Sequence, residues 1–332
     1  MTRTCKSGMF LLRVFLISAL LWVPSNRVGA ETQMARIGYL TPAPLAIVAD
    51  LNKIFVEELE KLGWAEGRNL TIEWRSIDGD EQRIPTLLAE LIALNLDVIV
   101  THATPITLAA KRAETQTPFV FVFVSDPLNS KIIQSLARPG GNITGVSQMD
   151  TELCGKRVQL LTEVMPQLKR LGVLLNPNVP YVPRMLKITR RAAETNNLEV
   201  YLFEATSSKE IVSAFKAMSE KSVEAFVQLP HSLFWQHREE VVRLAEQYRF
   251  PGVYEATEFV PIGGLMAYAE NFPAHMRRAA AYVDQILRGT DPASLPVAQP
   301  MEFELAINLR TARNWNLNIP ESVLVLADQI IE

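Results

Sequence analysis

Phe119-Val120-Phe121-Val122-Phe123-Val124 is apolar at every position. A strand with one face in water alternates apolar and polar residues, so a run without alternation reads as a strand buried between two helix layers. Outward from it, segments 36–40, 70–76, 97–102 and 143–147 are further short runs of β-branched or apolar residues. Between them Ile54, Phe55, Leu59 and Leu62, and then Leu87, Leu88, Leu91 and Ile92, recur at helical spacing and put apolar side chains on one face. Alternating βα units of this kind predict a parallel sheet in a three-layer α/β lobe.

The pattern then restarts. Arg170-Leu171-Gly172-Val173-Leu174-Leu175 reads like Arg36-Ile37-Gly38-Tyr39-Leu40, and each is followed by a Pro-containing loop into a helix. Asp97-Val98-Ile99-Val100, a helix and Thr117-Pro118-Phe119-Val120 are echoed by Glu224-Ala225-Phe226-Val227, a helix and Phe250-Pro251-Gly252-Val253. The expected fold class is therefore α/β, with two similar three-layer lobes built on parallel sheets. The turn at 138–142 and the strand after it lead towards the second lobe. An apolar strand at 264–269 is expected to cross back, and a third crossing is expected near 296–303. This gives a first lobe of residues 31–147 plus 270–298, a second of 148–269 plus 299–332, and a hinge of several strands.

Residues 1–30 have the form of a secretory leader. Arg3 and Lys6 precede an apolar run from Met9 to Val23, and Val28-Gly29-Ala30 forms a small-residue exit. The run is short for a membrane span and is interrupted by Arg13 and followed by Pro24. Cleavage after Ala30 would leave 29 basic and 36 acidic residues, a formal charge of −7. A mildly acidic chain without a basic cluster has no electrostatic footprint for nucleic acid or anionic lipid. Cys154 alone remains after cleavage, so no intramolecular disulfide can form, and it reads as a small packed residue.

Ligands of open parallel sheets bind beyond the carboxyl ends of the strands, and two lobes facing across a hinge bring both sets of ends to one cleft. Thr41, His102, Thr104, Ser125 and Asp126 stand in the strand-to-helix loops of the first lobe. His231, Tyr254 and Glu255 stand in those of the second, with Ser147 beside a crossing. Thr104 before Pro105 has the look of a helix N-cap, and its hydroxyl with the next free amides suits a carboxylate. Asp126 before Pro127 has two readings, a cap for the next segment or a partner for a ligand ammonium. Tyr254 and Glu255 offer an aromatic face and a charge for a cationic or aromatic group. Phe234 and Trp235 are read either as pocket lining or as packing against the sheet.

His102 and His231 end matching strands, which admits a two-histidine metal or acid/base site; without a third ligand in the pattern they read as hydrogen-bonded loop residues. His237 and His275 read as helix-surface positions. Gly-x-Ser-x-Gly, the phosphate-binding Gly-x-x-x-x-Gly-Lys-Ser/Thr loop and His-Glu-x-x-His are missing from the sequence. No catalytic residue, metal or cofactor is expected.

Several segments carry a family likeness. They are Ala103-Thr104-Pro105, Ser125-Asp126-Pro127, residues 137–147 (ARPGGNITGVS) and Gly172-Val173-Leu174-Leu175-Asn176-Pro177. Gly263-Gly264-Leu265-Met266-Ala267-Tyr268, Ile307-Asn308-Leu309-Arg310-Thr311-Ala312 and Ile319-Pro320-Glu321-Ser322-Val323-Leu324 follow, before Ala327-Asp328. In these pieces the chain resembles the substrate-binding proteins of ABC transporters, in the group related to tryptophan- and tyrosine-binding members. The resemblance implies a periplasmic-binding-protein type I fold, closure of two lobes on a small ligand, a permease partner and a periplasmic location. By family position it implies a pocket that uses the loops of Thr104 and Asp126 and the second-lobe turns. The chain departs from the group at His231, where Asp or Asn is common, and at Tyr254-Glu255, where small polar residues occur.

The expected function is an exported solute-binding protein of an ABC importer, and a monomer suits a hinge that must open and close. Two rival readings are a ligand-sensing module for a membrane receptor and an exported enzyme using His102, His231 and Glu255.

Overall fold

The structure, a computed structural model, describes residues 34–332. The expected leader at 1–30 and its cleavage site lie outside the described residues. The run that opened the sequence reading becomes β4 (Phe119–Ser125) of a five-stranded parallel sheet with β1 (Ala35–Thr41), β2 (Leu70–Ser76), β3 (Val98–His102) and β5 (Ile143–Gln148). The order is β2-β1-β3-β4-β5, and every residue of β4 is buried. Helices α1 (Ala49–Lys61), α2 (Ile84–Ala93) and α3 (Thr104–Arg112) connect successive strands. Leu51, Phe55 and Leu59 are the buried stripe of α1, and Ile84, Leu87, Leu88 and Leu91 that of α2, as the helical period requires.

After β5 the chain enters the second lobe through α4 (Asp150–Val164). Then follow β6 (Arg170–Leu175), α5 (Val182–Thr195), β7 (Glu199–Glu204), α6 (Ser208–Glu220), β8 (Ala225–Gln228), α7 (Ser232–Gln236), α8 (Arg238–Tyr248), β9 (Gly252–Tyr254) and β10 (Met266–Glu270). Helix α9 (Phe272–Leu287) returns to pack on α1 and β4, and β11 (Phe303–Asn308), α10 (Leu309–Asn314), α11 (Glu321–Leu324) and β12 (Gln329–Ile331) complete the second lobe. The seven-stranded order is β12-β11-β10-β9-β8-β6-β7.

Two expectations change here. The segment expected to cross back at 264–269 is instead β10, a member of the second sheet, and the crossing follows it. β10 pairs antiparallel with β11, so this sheet is mixed. The reason is direct: a strand that leaves for the other lobe and returns beside its point of departure runs the opposite way.

The chain passes between the lobes at 148–150, at 270–272 and at 298–303. Glu270 accepts from the Met149 amide, and Asn271 donates to Glu304, so side chains tie the crossings together. Ala298 pairs with Val146 at the edge of the first sheet. Among the described residues, no helix is long and apolar enough to cross a membrane.

One irregularity in β4 shapes the site. Pairing with β5 slips between Phe121 and Val124, and Phe123 has φ of 55°, a left-handed conformation rare for a bulky residue. Up to Val122 the side chains alternate between the two helix layers. The bulge breaks that parity, so Phe123 joins Val122 on the α1/α9 side. Opposite it, a Cβ on Gly145 would lie 2.1 Å from the Phe121 carbonyl oxygen, so only glycine fits there.

Candidate ligand-binding cleft

Strand ends of both sheets converge on one cavity of about 590 Å³, part of it open to solvent. The first-lobe wall comes from the loops after β1, β3 and β4: Pro42, Ala43, His102, Ala103, Phe123 and Ser125, with Val48 and Leu51 beside them. The second-lobe wall comes from the loops after β6, β8 and β9: Tyr181, Pro230, His231, Ser232, Trp235 and Glu255. Gln148 and Phe272 line it at two of the crossings. A mostly apolar wall with a few placed polar groups is the common form of a small-ligand site.

The first-lobe wall is aromatic. His102 lies 4.7 Å from Phe123, ring to ring, and Phe123 meets Phe272 edge-on at 4.8 Å. Burial holds the His102 imidazole neutral, with its pKa pushed down to about 3. Ser125 donates to Gln148, which ties the end of β4 to the first crossing.

The second-lobe wall carries the acid. Glu255 Oε1 accepts from Gln228 Nε2 at 3.1 Å and from the His231 amide at 3.4 Å. Burial, and then the nearby Asp150 carboxylate, raise the Glu255 pKa well above the ordinary range, against the opposing pull of Arg157. Arg157 is fully buried and donates to Asp150 Oδ1 at 2.8 Å, to the Tyr268 carbonyl at 2.9 Å and to the Glu255 backbone carbonyl at 3.4 Å. His231 caps α7, its Nδ1 accepting from the Leu233 amide, which fixes Nε2 as the protonated nitrogen of the neutral ring. Burial lowers its pKa to about 4.

Of the residues singled out from the sequence, His102, Ser125, His231 and Glu255 line this cavity. Thr41 stands behind His102, its hydroxyl 3.4 Å from Nδ1. Thr104 is not the helix cap: Ala103, at φ of 72°, takes that place, and the Thr104 hydroxyl accepts from the Ser125 amide at 3.1 Å, joining α3 to β4. The Asp126 carboxylate is paired with Arg184 of the second lobe at 3.0 Å and with Asn129, outside the cavity lining. The Ser147 hydroxyl is spent on the Ala298 carbonyl. Tyr254 points into the second-lobe core, stacked on Phe259 at 4.7 Å. Successive strand residues face opposite ways, so Tyr254 and Glu255 could not both face the cleft.

His275 is also placed differently, being buried rather than on a helix surface. Its Nε2 lies 3.2 Å from Glu270, and its ring stacks on Phe123 at 5.4 Å. His237 is half-buried between α7 and α8. Among the described residues, no group of three or more His, Cys, Asp and Glu is placed to hold a metal ion. Of the two readings of the Phe234–Trp235 pair, Phe234 packs in the core and Trp235 lines the cavity. Phe123, Tyr181, Gln148 and Phe272 were missed. Phe123 was hidden inside a strand whose bulge has no signature in an unbroken apolar run, and the others reach the cavity through the hinge and loop geometry.

The lobes are in contact around the cavity. Trp235 packs against the cores of both, Arg184 bridges Asp126 and Glu152, and the Gln236 side chain lies close to Gly79. This is a closed arrangement.

Comparison with known proteins agrees with this architecture. A family described as ABC transporter substrate binding protein matches residues 48–331. A tyrosine-binding protein of Clostridioides difficile is 24% identical over 261 residues, covering 79% of this chain and 75% of that protein. Among solved structures, a conserved domain protein from Vibrio cholerae has a TM-score of 0.84 at 26% identity, covering 90% of this chain and all of the other. An ABC domain in complex with L-Trp from Streptococcus pneumonia has a TM-score of 0.83 at 26% identity, covering 90% and 99%.

Proposed function

Because this chain belongs to the ABC transporter substrate-binding protein family, we propose that it is exported, closes its two lobes on a small ligand with an aromatic body and an amino group, and delivers that ligand to a membrane permease. The fold is that of type I periplasmic binding proteins. The observation that carries the reading is the cavity itself. Its walls come from both lobes, so a bound ligand gains contacts in the closed form that the open form lacks, which shifts the population towards closure. The rings of Phe123, Trp235 and Phe272 suit an aromatic body, and Glu255 suits an ammonium. The tyrosine-binding relative and the L-Trp complex support aromatic amino acids as the first class to try.

No chemical step is required by this reading. A ligand present at 100 times its dissociation constant adds about 2.7 kcal/mol to stability. Thermal unfolding of residues 31–332 is therefore expected to shift upward with aromatic amino acids or related amines, and not with sugars or nucleosides. A shift with sugars alone, or conversion of a bound compound to product, would sink the reading.

A further inference from the structure

The charges around the cleft do not balance. Neither the cavity nor the neighbouring one that shares Pro42, Ala103, His231 and Ser232 with it is lined by a lysine or an arginine, among the described residues. Each is lined by one acid instead, Glu255 in the first and Glu81 in the second. The histidines at the cavity wall are held neutral by burial. Behind the wall the one buried cation among the described residues, Arg157, is engaged by Asp150 and by two backbone carbonyls. Asp150 is the carboxylate paired with that guanidinium, the Glu255 carboxyl makes no ion pair with it, and only Oε1 of Glu255 is held by the protein among the described residues.

Burial pushes the Glu255 carboxyl towards its protonated form, and an opposite charge placed against it offsets that cost and favours the carboxylate, with release of a proton. An ammonium seated on Glu255 would be the second cation. A ligand carboxylate would meet the reverse situation: Ser125, Ser232 and neutral imidazoles as donors, no cationic partner, and the field of two acids.

Building on the reading that the lobes close on an aromatic ligand, we propose that the cleft selects for net positive charge. Its preferred class is the aromatic monoamines, read through their ammonium group at Glu255, and the zwitterionic amino acids are the weaker analogues. Selection then comes from the absence of a cation as much as from the presence of an acid.

The experiment is calorimetric titration of residues 31–332 with matched sets: tryptamine, L-tryptophan and indole-3-acetate, then tyramine and L-tyrosine. Each amine is expected to bind about tenfold or more tightly than its amino acid, the size of one charge-assisted contact, and indole-3-acetate is expected not to bind. Glu255→Gln is expected to reduce the preference for amine over amino acid; if that variant does not fold, the ligand series on the unaltered chain still decides. L-tryptophan binding more tightly than tryptamine, or any binding of the acid, overturns the proposal and leaves the aromatic-ligand reading standing. Failure of all five compounds would overturn both.

Discussion

The two walls of the cleft are made from the same kind of element, a loop at the end of a parallel strand, yet they carry opposite chemistry. The first lobe presents His102, Phe123 and Leu51, and its polar groups there are neutral. The second presents Glu255 and His231 over a buried Asp150–Arg157 pair. The first lobe thus supplies an aromatic wall and the second the acid together with the Trp235 ring, and closure is what combines them. Neither wall alone would discriminate a charged aromatic compound from a neutral one of the same outline.

The strongest way to break this contrast is at Arg157. Both it and Asp150 are almost wholly inaccessible, so Arg157→Ala leaves an acid buried without its partner. Such losses cost about 3–5 kcal/mol. Urea unfolding is expected to show a drop of that order; a loss under about 1 kcal/mol would mean that Asp150 simply takes up a proton, and that the charge in this wall is not fixed.

The buried histidines and acids around the cleft respond oppositely to pH. His102, His231 and His275 take up protons near pH 6.5 when unfolded but only near pH 3 to 4 in the fold. The unfolded state therefore binds more protons in that window, and stability falls as pH falls from about 6.5 towards 4. Glu255 and Glu270 are raised by burial, then by Asp150, so the folded state binds more protons above the ordinary carboxylate range and stability falls as pH rises there. His102→Gln is expected to flatten the acid limb by up to about 1.4 kcal/mol per pH unit, and Glu255→Gln the opposite limb. An acid limb that His102→Gln leaves unchanged would contradict the burial of that histidine.

Trp235 tests whether the two walls act together, because it packs against both cores and stands over the cavity. Trp235→Ala is expected to weaken ligand binding by about 2 kcal/mol, roughly thirtyfold. An unchanged affinity would place the aromatic contribution wholly in the first lobe.

What the sequence made legible follows from periodicity. The βα alternation and the restart at Arg170 led to two lobes, because burial between helix layers writes itself as unbroken apolar runs. The cavity-facing set was legible only by strand end, not by direction. His231 and Glu255 fell on the cavity side and Tyr254 on the core side, a choice set by strand parity that no composition reveals. Phe123 depended on a bulge supported by Gly145 in the neighbouring strand, a pairing between positions far apart in sequence. Arg157 carries no signal of its own in the sequence, because its burial against Asp150 and Tyr268 depends on contacts between distant segments.

The smallest effect is expected at the rim. Arg184 on α5 reaches across the cleft to Asp126 at 3.0 Å while also holding Glu152 of its own lobe at 2.9 Å. Its side chain is 45% exposed, so solvent and salt screen the pair, and exposed bridges contribute only about 0.2–1 kcal/mol. Since Glu152 keeps Arg184 in place whether the lobes are open or closed, the part specific to closure is the Asp126 contact alone. Arg184→Ala is therefore expected to weaken ligand binding by no more than about fivefold, with little change in unfolding midpoint, and the difference from the unaltered chain is expected to shrink at high salt. A loss as large as that expected for Trp235→Ala, or one insensitive to salt, would mean that closure is held by charge at the rim and not by the ligand between the walls.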